Sequence, residues 1–127
     1  AHFNPAVTSA ALFCGKGKMT FSEWIKYVAA QIVGGTLGGL YTGFLNSSTP
    51  SANSAVILTK GDGFEMWQAA LVEMLFSGLL AYVLLVASLP MQPGTSKPHP
   101  LFGLIIASCV TAGGFVAGGI SGGLFNP

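Results

Sequence analysis

Three long apolar stretches separated by two polar connectors dominate the sequence. The apolar stretches cover about residues 24–45, 64–89 and 101–119, and each is close to or longer than the roughly 20 residues that a helix needs to cross a bilayer. The connectors cover residues 46–63 and 90–100, and the prolines of the second one end one helix and delay the next. The pattern predicts an all-α membrane protein with three spanning helices.

A fourth apolar stretch, from Pro5 to Cys14, is too short to span. An apolar run of this length indicates a re-entrant segment. Pro5 suits the first turn of a helix and Asn4 is a preferred N-cap residue, so we predict a half-helix over about residues 4–14. The triplet Phe-Asn-Pro recurs at residues 125–127, after the glycine-rich run GGISGG. We predict an extended pore loop there, over residues 119–127.

The number of spans between the two Asn-Pro segments places them relative to the membrane. Three crossings is an odd number, so the segments enter from opposite faces, as in the inverted repeats of transport proteins. Each half-helix would point its positive N-terminus to the bilayer centre, where two such ends repel cations. We expect the carboxamides of Asn4 and Asn126 to accept hydrogen bonds from backbone behind them and to donate to water.

Composition and charge agree with a membrane protein. The chain is 51% apolar and 7% charged, whereas a soluble domain carries about 25% charged residues. A net charge of +1 provides no basic field for nucleic acid, so no nucleic-acid partner is expected. Loops rich in lysine face the cytoplasm. We therefore place Lys60 and a candidate glycosylation site, Asn46-Ser47-Ser48, outside, and four lysines inside: Lys16, Lys18, Lys26 and Lys97.

Candidate chemistry is sparse. Cys14 and Cys109 lie in apolar contexts, without CxxC spacing or a nearby histidine, and are interpreted as buried thiols. The sequence has no nucleophile–base pair, phosphate-binding loop or metal-ligand cluster, so we expect neither an enzyme nor a cofactor. Since the chain has no initiator methionine and ends on a helix-starting proline, we expect an internal piece of a longer protein.

Four segments together resemble the aquaporin (major intrinsic protein) family: HFNPAVT, AAQIVGGTLGG, ALVEMLFSGLLAYVLL and GGISGGLFNP. The resemblance covers essentially the whole chain. It implies an inverted-repeat helical bundle with six spans, two re-entrant half-helices and a homotetramer in the lipid bilayer, each protomer having its own pore. This chain would hold the first half-helix, spans three to five and the following loop. The membrane would be the plasma membrane or that of an organelle.

The resemblance also implies roles for individual residues. It assigns the pore motifs to Asn4, Pro5, Ala6, Asn126 and Pro127, and the pore lining to His2, Val7, Val110, Gly122 and Gly123. The alternative for His2 is a merely packed side chain. Gly114 and Gly123 match two positions of the selectivity filter. Two glycines make a wide filter, which favours glycerol, urea, ammonia or peroxide beside water. Leu124 is bulkier than the family's usual residue, and this chain holds no arginine.

Glu73 is the one charge deep in a predicted span, and an intramembrane carboxylate is costly and by default functional. It is either the coupling site of a proton-coupled carrier or, as the resemblance favours, an acceptor for N–H groups of the last glycine-rich loop. Gln31 and Tyr82 match the family's polar helix positions, and Gln31 is interpreted as a hydrogen-bonding strut.

The favoured function is a passive channel for water and small neutral solutes that excludes protons. One alternative is a glycerol-type facilitator, in which histidine at position 114 would abolish glycerol flux and spare water. A second is an ion-coupled carrier that uses Glu73. A third is a structural junction protein with a closed pore.

Overall fold

The structure, a computed structural model, describes residues 2–15, 19–46, 60–88 and 99–127. In these ranges the chain forms four helices and no strand: α1 (Pro5–Phe13), α2 (Phe21–Asn46), α3 (Met66–Ala87) and α4 (Phe102–Ser121). The all-α prediction is confirmed. Lys16, Lys18, Lys97 and the serines of the candidate glycosylation site lie outside the described residues.

Three of the helices are long and apolar enough to cross a membrane: Phe21–Leu45, Met66–Ala87 and Phe102–Ser121. Helix α1 has nine residues and a length of roughly 14 Å at 1.5 Å per residue, less than half the hydrocarbon thickness of a bilayer. One short helix therefore accompanies three long ones, which is the pattern expected of a re-entrant segment beside three spans.

Hydrogen bonds at the helix ends explain where α2 and α3 begin. Thr20 and Glu23 form reciprocal bonds before α2, because Thr20 N–H donates to the Glu23 carboxylate at 2.7 Å and Glu23 N–H donates to Thr20 Oγ1 at 3.3 Å. This capping box starts α2 at Phe21, three residues before the predicted boundary. Glu65 and Gln68 form a capping box at the start of α3.

The packing brings α1 into the middle of the described structure. Helix α1 contacts α2 and α3, α3 also packs along α4, and α2 touches α1 alone among the described helices. The small apolar core consists of Leu80, Ala117 and Phe125. Much of the remaining apolar helix surface is exposed, as at Leu40 and Phe115. Such continuous apolar surface is what lipid or neighbouring membrane helices cover.

Candidate pore site

The two Asn-Pro segments bind each other directly. Asn4 Nδ2 donates to the carbonyl of Phe125 at 2.6 Å, and Asn126 Nδ2 donates to the carbonyl of Phe3 at 3.1 Å. Each carboxamide therefore binds the residue that precedes the other asparagine. The exchange is reciprocal, and it joins the start of α1 to the loop that follows α4.

Asn4 has a second function at the start of α1. Its Oδ1 accepts hydrogen bonds from the N–H groups of Ala6 at 2.9 Å and Val7 at 3.4 Å. The residue thus caps the helix N-terminus and satisfies donors that would otherwise have no partner. Because Nδ2 carries two N–H donors and one of them binds Phe125, one donor of Asn4 is left over among the described contacts. The sequence predicted donation to water alone and missed the cross-link.

Glu73 binds the loop between α4 and Asn126. Its Oε1 accepts from Ser121 Oγ at 2.6 Å and from Leu124 N–H at 3.0 Å, and its Oε2 accepts from Phe125 N–H at 2.6 Å. Ser121 Oγ also accepts from Gly123 N–H at 3.3 Å. Both carboxylate oxygens of Glu73 thus accept hydrogen bonds from the loop.

The same loop is folded tightly. The backbone φ is +93° at Gly122, +66° at Gly123 and +51° at Phe125. Glycine adopts such left-handed backbone conformations freely, whereas a residue with a side chain, such as Phe125, adopts them only at an energetic cost. The hydrogen bonds of Glu73 and Asn4 to the Phe125 backbone hold this conformation in place.

Gln31 of α2 binds the loop before α1. Its Nε2 donates to the His2 carbonyl at 2.9 Å and to Thr8 Oγ1 at 2.8 Å, while Thr8 Oγ1 donates to the Asn4 carbonyl at 2.9 Å. The opposite amide oxygen, Gln31 Oε1, is buried without a partner among the described residues. Gln31 is therefore placed as a strut between α2 and the first Asn-Pro segment.

The His2 side chain lies at the entrance of α1. Its ring contacts Tyr27 at a centroid distance of 5.4 Å, and Nδ1 lies 3.5 Å from Thr8 Oγ1. Burial lowers the pKa of His2 below its ordinary value, because the imidazolium ion loses hydration.

The two glycines assigned to the filter lie against each other. A Cβ added at Gly123 would stand 3.3 Å from Gly114 Cα, whereas a Cβ added at Gly114 would meet nothing within 4 Å. The loop therefore lies directly on α4 at this point, and a side chain at position 114 would extend into open space.

Two open grooves flank the Asn-Pro junction, with volumes of about 950 and 860 Å³. Leu124, Asn126 and Pro127 line both grooves. The first groove continues along α2, and its other lining residues include His2, Phe3, Pro5, Tyr27, Gln31 and Thr36. The second continues along α3, and its other lining residues include Ala6, Ala10, Glu73, Ser77, Tyr82 and Leu85.

The two valines assigned to the pore wall line neither groove. Val7 is 3% exposed and Val110 is 42% exposed, and neither belongs to the lining residues of the two grooves. Gly122 is exposed. Their pore-wall roles stay predictions.

Sequence reasoning missed four residues of the junction: Thr8, Phe76, Gly113 and Ser121. Thr8 and Ser121 are fully buried and hydrogen-bonded. A hydroxyl residue in each Asn-Pro region, within an otherwise apolar or glycine-rich run, was the available signal. Phe76 and Gly113 contact the Phe125 ring across two helices, and a sequence pattern carries no sign of such a contact.

Comparison with known proteins identifies the family. The family model "Major intrinsic protein" matches residues 1–127. The chain is 31% identical to Aquaporin NIP2-1 of Arabidopsis thaliana and 28% identical to Aquaporin-B of Dictyostelium discoideum, in each case over the whole chain and over 43% and 51% of the relative. The chain thus spans about half the length of these relatives or less. The resemblance seen in the sequence is confirmed, and the chain belongs to the major intrinsic protein family, the aquaporins.

Proposed function

We propose that the protein is a passive channel that conducts water and small neutral solutes across a membrane and excludes protons. The reciprocal bonds of Asn4 and Asn126 to Phe125 and Phe3 carry this proposal. They join the two Asn-Pro segments at one point. A path for water through an apolar bundle needs hydrogen-bond donors, and the two carboxamides would supply them at this point. The relatives named aquaporin support the same function.

Water would pass this junction by exchanging hydrogen bonds with it. The remaining N–H donors of Asn4 and Asn126 give water two donors to accept from, and loop carbonyls near Gly122 and Gly123 accept from it in turn. A water that accepts from both carboxamides has its own hydrogens turned away from them, so the chain of water that would carry a proton is interrupted. The positive N-terminus of α1 adds an electrostatic barrier to cations.

The filter glycines favour solutes larger than water. Gly114 and Gly123 touch and present no side chains, so this side of the passage is limited by backbone alone. We propose that glycerol, urea, ammonia or peroxide passes beside water. Selection would then rest on the remaining filter positions of the full-length protein.

An ion-coupled carrier that uses Glu73 is the second candidate, and the geometry disfavours it. A coupling carboxylate must exchange its partners for an ion or a proton in each cycle. Glu73 instead accepts three hydrogen bonds from its own chain, two of them from backbone N–H groups. Release of these bonds would leave the N–H groups of Leu124 and Phe125 without an acceptor among the described residues, which is costly in an apolar environment.

Proteoliposomes that hold the full-length protein test the proposal. In a sucrose gradient, stopped-flow light scattering should show faster shrinkage than in empty liposomes. In a glycerol gradient, shrinkage should be followed by faster re-swelling. Shrinkage at the rate of empty liposomes would overturn the channel and favour the closed junction protein. Saturable uptake of a solute such as glycerol, dependent on a proton gradient across the liposome membrane, would favour the carrier.

We further propose a homotetramer in the lipid bilayer in which every protomer has its own pore, within the plasma membrane or an organelle membrane. The large apolar surfaces of α2 and α4 would face lipid and neighbouring helices. Native mass spectrometry of the full-length protein in detergent should give four copies, and fluorescence microscopy of a tagged protein would identify the membrane.

A further inference from the structure

The pore loop is fixed at three points of a single residue, Phe125. Its N–H donates to Glu73 and its carbonyl accepts from Asn4. Its ring, 2% exposed, belongs to the apolar core. We propose that Phe76 and Gly113 form a socket for this ring, called here the aromatic socket, and that the socket positions Asn126 and tunes the filter. The proposal rests on the channel function given above.

The aromatic socket fits the ring closely on two sides. The Phe76 and Phe125 rings stack at a centroid distance of 5.3 Å and an interplanar angle of 24°. A Cβ added at Gly113 would stand 2.9 Å from Phe125 Cε2 and 3.0 Å from Phe76 Cδ1. Nearly all real Cβ contacts are longer than this. Any side chain at position 113 would therefore clash with both rings and force at least one of them to move.

Docking of the ring has a direct effect on the backbone. Phe125 holds a left-handed conformation with φ of +51°, which a non-glycine residue keeps only where its surroundings determine it. The two hydrogen bonds fix the peptide groups on either side, and the buried ring fixes the Cα–Cβ direction between them. Asn126 follows immediately, so a displaced ring displaces its carboxamide as well.

The socket also lies next to the filter. Gly113 precedes Gly114 in α4, and the loop packs against Gly114 at Gly123. A ring pushed away from Gly113 therefore lifts the loop from the helix turn that holds the filter contact. One added methyl group at position 113 should thus act on both the asparagine junction and the passage width.

The two Asn-Pro segments differ in this respect. Phe3 stands before Asn4 as Phe125 stands before Asn126, yet Phe3 is 85% exposed among the described residues while Phe125 is 2% exposed. Within the described part of the chain, the socket therefore serves the second segment alone. It is a specific feature of the α3–α4 pair and does not follow from the repeat of the triplet.

The test compares Gly113→Ala with Gly103→Ala in the full-length protein. Both glycines lie in α4, Gly113 in its interior and Gly103 in its first turn, but a Cβ at Gly103 meets nothing within 4 Å. We expect Gly113→Ala to lower water permeability by roughly threefold or more and to change the glycerol-to-water permeability ratio, because a displaced loop no longer holds the groups that line the passage in place. Gly103→Ala should match the wild type.

A second substitution tests whether the effect is steric. Phe76→Leu removes one of the two rings that the added methyl group would strike and gives the other, Phe125, room to shift. Gly113→Ala combined with Phe76→Leu should regain at least half of the lost permeability, or regain assembly if Gly113→Ala alone fails to assemble. A double variant as impaired as the single one, or a Gly113→Ala protein indistinguishable from Gly103→Ala, would overturn the proposal.

A readout that needs no flux separates this proposal from the channel function. Hydrogen exchange of the peptide containing Leu124 and Phe125, whose N–H groups bind Glu73, should be faster in Gly113→Ala than in Gly103→Ala. If wild-type liposomes show no flux but exchange differs in this way, the channel proposal fails and the aromatic socket stands. Equal hydrogen-exchange rates in the two variants would overturn the aromatic socket, whatever water flux the liposomes show.

Discussion

At the residue scale, Asn4 combines two functions that a substitution can separate. Its Oδ1 caps α1 and its Nδ2 binds Phe125. Aspartate is also a good N-cap residue, but an ionised carboxylate has no N–H to donate. Alanine supplies neither group. The choice of asparagine over aspartate is thus explained by the cross-link and not by the cap.

We expect Asn4→Asp to keep α1 and to lose the junction. The carboxylate would face the Phe125 carbonyl without a bridging proton, and the lost bond should cost about 1–3 kcal/mol. Water permeability should fall and proton leak should rise, because a negative charge replaces a neutral donor. Stopped-flow scattering and a pH-sensitive dye inside the liposomes measure both. Unchanged water and proton fluxes in Asn4→Asp would contradict the cross-link's function.

Glu73→Gln should detach the pore loop. The amide has one acceptor oxygen where the carboxylate has two, and its NH₂ group would meet the N–H of either Leu124 or Phe125. Hydrogen bonds to charged groups contribute about 1.5–3 kcal/mol each, so the thermal unfolding midpoint in detergent and the water permeability should both fall. Asp62→Asn, a carboxylate-to-amide change at an exposed turn, is the control. A stable, fully conducting Glu73→Gln protein would refute the loop anchor.

The residues of the junction differ in how far the sequence predicts them. Asn4 and Glu73 could be found because a repeated cap residue and a lone intramembrane charge are rare in an apolar chain. Their partners could not be found in this way. Which donors reach Glu73 depends on how α3 crosses α4, and Ser121 is one serine among many until that crossing brings it to 2.6 Å.

At the element scale, a turn before α3 is tied to the end of α4. Gly61 N–H donates to the Ile120 carbonyl at 2.9 Å, and Phe64 N–H donates to the Gly61 carbonyl at 3.1 Å. A Cβ added at Gly61 would overlap the carbonyl oxygen of Gly119. The backbones thus cross in direct contact at Gly119 and Ile120, immediately before Ser121 and the loop of residues 122–127.

Gly61→Ala should therefore disturb the loop from outside the junction. Gly61 is not among the residues with positive φ, so the substitution introduces no backbone strain and its effect is steric. Overpacking of this kind costs about 1–3 kcal/mol, and we expect a lower unfolding midpoint and lower water permeability. Gly43→Ala, whose Cβ would meet nothing within 4 Å, should change neither. Equal behaviour of the two variants would show that the crossing is not tight.

The sequence predicted the existence of all four helices and set their ends to within about three residues. Apolar length and cap residues act locally, so a single sequence carries them. The crossing at Gly61 is different. It falls in a connector that reads as a polar loop, and nothing in that loop indicates that one glycine meets the α4 backbone.

At the scale of the whole molecule, an inverted arrangement is expected from a count of spans, whereas the proposed filter depends on contact between distant residues. Three long helices between the two Asn-Pro segments make their opposite entry expected. The meeting of Gly114 and Gly123 joins α4 to the loop after it and leaves open space on the Cβ side of Gly114. We therefore expect the solute range to depend on the assembled passage.

Gly114→His tests that property. The imidazole would enter open space without a clash at its Cβ, so the protein should fold, and it would add a bulky donor beside Gly123. We expect glycerol-driven re-swelling of liposomes to be lost and water-driven shrinkage to be retained, because a single file of water needs less width than a carbon backbone. Gly103→His, in the same helix and equally open at its Cβ, should retain both fluxes. Glycerol flux that survives in Gly114→His would remove Gly114 from the filter, whereas loss of water flux together with glycerol would indicate a passage already too narrow for a side chain there.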